Sequence, residues 1–288
     1  MPRWNLPEDR PGHDADEALA ARRAAVIEFQ PAEIEPGVER TDITRGGVDC
    51  IVCTPPDARR TILYLHGGGY RMGTAAMWTK FGSRLALAAS ARVEILDYRV
   101  APEHPFPAAV RDATAAYGEL LDEGGPVVVG GDSAGGGLAA AVAVACAQAG
   151  VAQPRGLVLI SPWADMTNSA ATYASHGTRD QMFSLESAAD AAALYLQGHA
   201  ADDPLASPVL TDAAELAGFP PSLVFAGGDE VLLGDGLALT QRLAVAGVSV
   251  ESHFVAGMQH VWPTLDLEHP EARRALDVIV RFVGHVTG

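Results

Sequence analysis

Short apolar runs alternate with helical stretches from about residue 38 onward, and this alternation restricts the fold more than any other feature of the sequence. Three of the runs are TILYLHG, PVVVGGD and GLVLISP, each a continuous apolar segment typical of a strand buried on both faces. Helical segments lie between and after the runs, among them FPAAVRDATAAYGELL and PEARRALDVIVRFV. This order of strands and helices predicts an α/β fold with a mainly parallel sheet and helices on both faces.

The composition argues against several classes of function. The chain has 288 residues, enough for one large α/β domain or two modest ones, and its net charge is −16. Because an acidic surface repels phosphate backbones and anionic lipid, we expect neither a nucleic acid nor a membrane as a partner. The N-terminal sequence lacks the apolar core of a signal peptide, so we expect a cytoplasmic location.

The region before the first buried run is predicted to be a hairpin that carries two of the three cysteines. Its strands are VERTDIT and VDCIVCTP, joined by a turn at Gly46-Gly47. The odd spacing of Cys50 and Cys53 places their side chains on opposite faces of a strand, so we expect neither a metal site nor a disulfide framework. Cys146 is expected to pack within a helix.

A glycine-rich stretch, GGDSAGGG at residues 130–137, follows the strand PVVVG and precedes an alanine-rich helix. No lysine follows Gly136, as a phosphate-binding loop would require, and a dinucleotide fingerprint is matched only weakly, at a late strand. The remaining interpretation is G-x-S-x-G at residues 131–135, a sharp strand-to-helix turn that exposes Ser133 as a nucleophile. The N–H of Ala134 would then point toward a developing oxyanion.

A serine nucleophile requires a base and an orienting acid, and on this type of sheet the chain order is serine, acid, histidine. His260 in GMQHVW directly follows the last predicted strand and is the candidate base. The acid should follow SLVFAGG, where Asp229, Glu230 and Asp235 all remain candidates because spacing does not distinguish them. The HGGG sequence at residues 66–69, after TILYL, is expected to supply N–H groups to an oxyanion hole.

With these motifs the sequence resembles the hormone-sensitive-lipase-like group of α/β-hydrolases, the bacterial carboxylesterases of family IV. The matching stretches cover most of residues 61–262 and are HGGGY, DYRVAPEHPFPAA, GDSAGG, SPWADMT, DPLASP, GFPPSLVFAGGDEVLL and GMQH. The resemblance implies an α/β-hydrolase fold, with a mostly parallel eight-stranded central sheet, helices on both faces and a helical cap. It also implies a nucleophile, a base and three oxyanion N–H donors, which are Ser133, His260, Gly67, Gly68 and Ala134.

The resemblance also bears on the acid. Family members carry an acidic residue followed two positions later by leucine, which favours Glu230, followed by Leu232, over Asp229. A further acid usually comes soon after the leucine. Here Gly234 occupies the nearest such position and Asp235 the next, a small departure from the family pattern.

Two segments lie outside the alternation of strands and helices. The family cap combines an N-terminal helical piece with an insertion after the strand that ends in SPW. We therefore expect residues 1–35 and 163–206 to form a helical cap, and residues 36–162 and 207–288 to form the catalytic domain. The aromatic residues of the insertion are expected mainly to pack the cap on itself.

The expected function is that of a serine carboxylesterase, which hydrolyses short-chain acyl esters through an acyl-enzyme intermediate. Its partner would be a small-molecule ester, with no metal and no organic cofactor. Other acyl substrates of the same chemistry, such as lactones, remain alternatives. A non-catalytic binding relative is disfavoured because His260 and both glycine motifs are present. The predicted strand VSVESHFV is a candidate edge for a homodimer.

Overall fold

A computed structural model of the protein describes residues 4–28 and 33–288. Within these residues eight strands form one sheet. Their bounds are β1 Glu39–Arg45, β2 Val48–Thr54, β3 Arg60–Leu65, β4 Ala91–Leu96, β5 Val127–Asp132, β6 Gly156–Ile160, β7 Ser222–Gly227 and β8 Val250–Val255. The α-helices of the same residues are α1 Glu17–Glu28, α2 Thr79–Ala89, α3 Ala108–Glu123, α4 Ala134–Ala149, α5 Thr172–Ser175, α6 Leu185–Leu196, α7 Ala213–Leu216, α8 Leu233–Val245, α9 Trp262–Leu265 and α10 Pro270–Thr287.

The sheet has the order β1-β2-β4-β3-β5-β6-β7-β8. β2 pairs antiparallel with both β1 and β4, and all other neighbours are parallel, so the predicted mostly parallel eight-stranded sheet is confirmed. Because β3, β5 and β7 run parallel, the loops that follow them lie at one edge of the sheet. The loops with HGGG, Ser133 and Glu230 are therefore brought together there.

The predicted hairpin is the β1–β2 pair. Arg45 pairs with Val48, which leaves Gly46 and Gly47 as a two-residue turn, and both glycines have positive φ angles, 62° and 88°. In β2, Cys50 packs in the core on one face of the sheet and Cys53 in the core on the other, and both thiols are free. The interpretation of these cysteines as packing residues is confirmed.

Two apolar cores cover the two faces of the sheet, and their helices differ in sequence pattern accordingly. α4 is buried on all sides from Ala134 to Cys146, which accounts for its uninterrupted run of small and apolar residues. α10 buries one stripe, which is Ala272, Ala275, Ile279, Phe282 and Val283, and exposes a charged face.

The two segments predicted to form the cap contact each other. The Arg10 guanidinium donates to the carbonyl oxygens of Leu196 and Gln197, at 3.2 and 2.9 Å. The Gln197 amide in turn donates to Pro102 O at 2.8 Å, which ties the end of α6 to the segment after β4. Residues 1–3 and 29–32 of the N-terminal segment lie outside the described residues. Among the described helices, none is both long enough and apolar enough to span a membrane.

Candidate active site

Ser133 lies on a strained turn between β5 and α4. Its φ of 53° and ψ of −121° are unfavourable for a residue with a side chain, so surrounding contacts must hold the turn. The Ser133 N–H donates to Ile160 O at 2.8 Å, and its carbonyl oxygen accepts from the Trp163 N–H at 2.9 Å. The backbone of the Ser133 turn is thus anchored to β6 and to the segment that follows it.

Glycine is required on both sides of this turn. A Cβ atom at position 131 would lie 2.3 Å from Gly135 O, and one at position 135 would lie 1.9 Å from Leu65 O. Both obstructing atoms belong to the backbone and cannot move aside, so no residue with a side chain fits at either position. Gly137 also permits close helix packing, since its Cβ would lie 2.0 Å from Trp163 O.

The structure brings Ser133, His260 and Glu230 into one hydrogen-bonded chain. His260 Nε2 lies 2.9 Å from Ser133 Oγ, and His260 Nδ1 lies 2.8 Å from Glu230 Oε2. A carboxylate only accepts, so Nδ1 carries the proton and Nε2 presents its lone pair to the serine hydroxyl. The other Glu230 oxygen accepts from the Gly227 N–H at 3.0 Å, and the Glu230 side chain is fully buried.

The other two candidate acids have different partners. Asp229 is the immediate neighbour of Glu230, but its carboxylate lies 3.9 Å from the Arg179 guanidinium at the surface. Asp235 is buried and accepts the N–H groups of Ala164 and Asp165, at 3.1 and 3.0 Å. Of the three candidates, Glu230 is therefore the one positioned against His260.

The electrostatics of the site favour a basic imidazole. Burial alone lowers the pKa of His260, but the hydrogen bond to Glu230 and its charge outweigh this, with help from the charges of Asp180 and Asp132. The net effect raises the pKa of His260 above its ordinary value of 6.5. A raised pKa makes His260 a stronger proton acceptor for the Ser133 hydroxyl.

The HGGG loop departs from the prediction at one position. The Gly67 N–H donates to Asp132 Oδ1 at 3.1 Å, so the expectation that Gly67 donates to an oxyanion is wrong. Gly68 and Gly69 follow with positive φ angles of 124° and 62°. Within the described residues, the N–H groups of Gly68, Gly69 and Ala134 have no protein acceptor.

Asp132 is a site residue whose role the sequence did not reveal. The same oxygen that accepts from Gly67 also accepts from the Tyr64 hydroxyl, at 2.8 Å, and the carboxyl group is fully buried. Burial raises the pKa of Asp132 from 3.8 to about 7, against the opposing effect of Tyr64, His260, Gly67 and Trp78. Asp132 thus connects the Ser133 turn to Tyr64 and to the HGGG loop.

His66, the first residue of HGGG, also holds this loop. Its Nδ1 lies 2.7 Å from Gly67 O, its ring stacks on Tyr98 with centroids 4.3 Å apart, and the Tyr98 hydroxyl donates to His66 O at 2.6 Å. Burial lowers the pKa of His66, so the ring is neutral and donates from Nδ1. His66 is therefore a structural anchor of the loop and not a second base.

One aromatic residue of the 163–206 segment reaches the site. The Phe183 ring stacks on the His260 imidazole with centroids 6.0 Å apart and an interplanar angle of 13°. Trp163 is fully buried and packs edge-on against Phe183 at 5.4 Å. Phe183 therefore lies beside the imidazole and roughly parallel to it, whereas Trp163 supports Phe183 from the core.

Comparison with known proteins shows the family to which the chain is similar. A family model described as alpha/beta hydrolase fold matches residues 62–264. The acetyl-hydrolase of Streptomyces hygroscopicus is 39% identical over 282 residues, which cover 96% of this chain and 93% of its own length. The esterase of Acinetobacter venetianus is 31% identical over 229 residues, which cover 78% of this chain and 75% of its own.

Solved structures give the same result at the level of the fold. The crystal structure of a hormone-sensitive lipase from a metagenome library matches with a TM-score of 0.89 at 35% identity, covering 96% of this chain and 94% of its own. That of an esterase from the bacterial hormone-sensitive lipase family matches with a TM-score of 0.88 at 37% identity, covering 97% and 94%. The chain belongs to the hormone-sensitive-lipase-like group of α/β-hydrolases and is a carboxylic ester hydrolase.

Proposed function

We propose that the protein is a serine carboxylesterase that cleaves short-chain acyl esters through an acyl-enzyme on Ser133. The observation that carries the proposal is the hydrogen-bonded chain from Glu230 through His260 to the Ser133 hydroxyl, with distances of 2.8 and 2.9 Å. Such a chain supplies the three parts that an unreactive hydroxyl needs, which are the nucleophile, the base and the group that orients the base.

The proposed reaction has two halves. As Ser133 Oγ attacks the ester carbonyl carbon, His260 Nε2 takes the hydroxyl proton, and Glu230 stabilises the imidazolium that forms. The tetrahedral intermediate then expels the alcohol, which leaves with the proton from His260, and the acyl group remains on Ser133. Water attacks the acyl-enzyme with the same proton transfers and releases the carboxylic acid.

The negative oxygen of the tetrahedral intermediate needs N–H donors that are not already engaged. Gly68 and Ala134 meet this condition within the described residues, and we place Gly69 in the role first expected of Gly67. Ala134 is the first residue of α4, so its N–H also benefits from the positive end of the helix dipole. Loss of one such donor typically costs about 10²–10³-fold in kcat.

Short acyl groups are the proposed substrates for two reasons. The similarity to the acetyl-hydrolase of Streptomyces hygroscopicus extends over 96% of this chain, and that protein is named for removing acetyl groups. Phe183, stacked on His260 and supported by Trp163, also limits the space beside the imidazole. We include residues 1–35 and 163–206 in the proposal as the cap over this site.

The test compares wild-type protein with Ser133→Ala on p-nitrophenyl acetate, butyrate and decanoate. We expect turnover of the two short esters by the wild type, with the highest kcat/KM on one of them, and loss of turnover in the variant with an unchanged circular dichroism spectrum. A fluorophosphonate probe should label the wild type and not the variant. Near-wild-type turnover by a folded Ser133→Ala protein would refute the mechanism, and a preference for decanoate would refute the proposed substrate class.

A further inference from the structure

The segment between α5 and α6 contacts the two loops that carry the acid and the base. Asp180 lies at its centre. One oxygen of this carboxylate, Oδ2, accepts from the Val231 N–H at 2.9 Å, directly after Glu230. The other, Oδ1, accepts from the N–H groups of Met182 and Phe183, at 2.9 and 2.8 Å.

The same segment holds the base loop. The Gln181 N–H donates to Gln259 Oε1 at 3.0 Å, and Gln259 directly precedes His260. Two residues further on, the Phe183 ring stacks on the imidazole. The turn that places this ring is closed by Asp180 Oδ1, since Met182 and Phe183 both donate to it. One carboxylate therefore fixes the loop of Glu230 on one side and Phe183, whose ring lies beside His260, on the other.

Asp180 differs from the other residues of its segment in charge and surroundings. It is partly buried, and its negative charge raises the pKa of His260 together with the charges of Glu230 and Asp132. Arg179, the neighbouring cation, faces Asp229 at 3.9 Å and its side chain is more than half exposed, so solvent weakens its effect on the imidazole. Proton transfer from Ser133 creates an imidazolium, which a nearby negative charge stabilises.

From these contacts we propose that Asp180 is a positioning residue for the reaction, acting through Glu230 and His260 without touching the substrate. This inference rests on the proposed esterase function. An amide cannot replace the carboxylate, because asparagine has one accepting oxygen whereas three N–H groups converge on both oxygens of Asp180. The amide nitrogen of an asparagine would face the N–H of Val231 or those of Met182 and Phe183.

The test compares Asp180→Asn, Asp180→Glu and the control Asp202→Asn, which removes the same charge from an exposed site in the same 163–206 segment. Steady-state kinetics on p-nitrophenyl acetate are measured across pH. For Asp180→Asn we expect kcat to fall about 10- to 100-fold with KM changed less than about threefold, as for a misplaced catalytic group. The acidic limb of kcat/KM should move to lower pH by about half a unit, because His260 loses a stabilising charge.

Asp180→Glu separates the two effects. It keeps the charge but alters the reach of the carboxylate, so kcat should fall while the acidic limb stays within about 0.2 pH units of wild type. Asp202→Asn should have the kcat of the wild type and the same acidic limb. If the role of Asp180 were purely structural, Asp180→Asn would lower the melting temperature and leave the acidic limb of kcat/KM at its wild-type position.

The inference is overturned if Asp180→Asn is folded and retains the wild-type acidic limb, whether or not its kcat falls. If that variant does not fold, Asp180→Glu decides: wild-type kcat in this variant overturns the inference. Failure of the proposed function is recognised separately, because the wild-type protein itself would then lack turnover of p-nitrophenyl acetate and labelling by a fluorophosphonate. An acidic limb that moves equally in the control would also contradict the inference.

Discussion

Replacement of Asp132 by asparagine should make the protein more stable at alkaline pH and less active. The carboxyl group is fully buried, and burial raises its pKa to about 7, whereas in the unfolded chain it titrates near 3.8. A carboxyl whose pKa is raised by folding is kept neutral in the folded state, so stability is lost as pH rises from the unfolded pKa through the folded one. Asparagine has nearly the same shape and no charge, and its oxygen can still accept from Tyr64 and Gly67.

The size of the effect follows from the two pKa values. Each pH unit between them costs the folded state about 1.4 kcal/mol, so the full difference of roughly three units corresponds to about 4 kcal/mol above pH 7. Between about pH 5.5 and 8.5, the free energy of unfolding of the wild type should therefore fall by about 2 kcal/mol relative to that of the variant. This range stays above the isoelectric point of about 4.8.

Urea unfolding of both proteins at several pH values measures this difference directly. Other titrating groups are shared, so they largely cancel when the two curves are subtracted. Asp202→Asn, which removes a carboxylate from an exposed position, is the control for the loss of one negative charge. If the difference in the free energy of unfolding between wild type and Asp132→Asn does not change between about pH 5.5 and 8.5, the pKa of Asp132 is not strongly raised and the reasoning is refuted. Above about pH 7, where the wild-type carboxyl is largely ionised, the variant should be less active, because a carboxylate holds the Gly67 N–H more strongly than an amide does.

Two further substitutions test the acid and the nucleophile turn. Glu230→Gln should lower kcat by about 10²–10⁴-fold and move the acidic limb of kcat/KM to lower pH, because the charge that raises the pKa of His260 is lost. An unchanged pH profile would exclude Glu230 as the acid that orients His260. Gly135→Ala should lower the free energy of unfolding by more than about 4 kcal/mol or prevent folding. Gly284→Ala, a substitution in α10 whose Cβ would lie 3.6 Å from the Arg60 side chain, should instead raise it by up to about 1 kcal/mol. Urea unfolding measures the change in the free energy of unfolding for each of these two glycine variants. Equal changes would contradict the steric argument.

Most of the fold could be predicted from the sequence because short apolar runs alternate with helical segments along the chain. Continuous apolar runs such as TILYLHG are strands with neighbours on both sides, and the Gly46-Gly47 turn has the backbone angles that a two-residue hairpin demands. The paths of residues 163–206 were not predictable in the same way. Their contacts are set by single polar side chains, such as Asp180 and Arg10, which are not part of any hydrophobic repeat in the sequence.

The candidate site was predictable where a backbone constraint dictates the residue type. The glycines at 131 and 135 are fixed by backbone atoms at 2.3 and 1.9 Å, so their spacing between a strand and a helix located Ser133. The acid that pairs with His260 could not be predicted in this way. Asp229, Glu230 and Asp235 lie within seven positions, and position along the chain does not show which carboxylate points toward the histidine. Only the family pattern favoured Glu230, and the structure places that side chain against His260.

The error at Gly67 has a physical cause that links the two glycine motifs. From sequence, each HGGG amide is an equivalent donor, because hydrogen bonds made by a distant carboxylate leave no local trace. In the fold, the parallel pairing of β3 with β5 places Gly67 beside Asp132, and this carboxylate takes up the first amide of the loop. The engaged amide then fixes the backbone from which Gly68 and Gly69 extend. Asp132 and HGGG are therefore one structural unit, in which the residue before Ser133 engages the first amide of the loop and leaves those of Gly68 and Gly69 for the oxyanion that we propose.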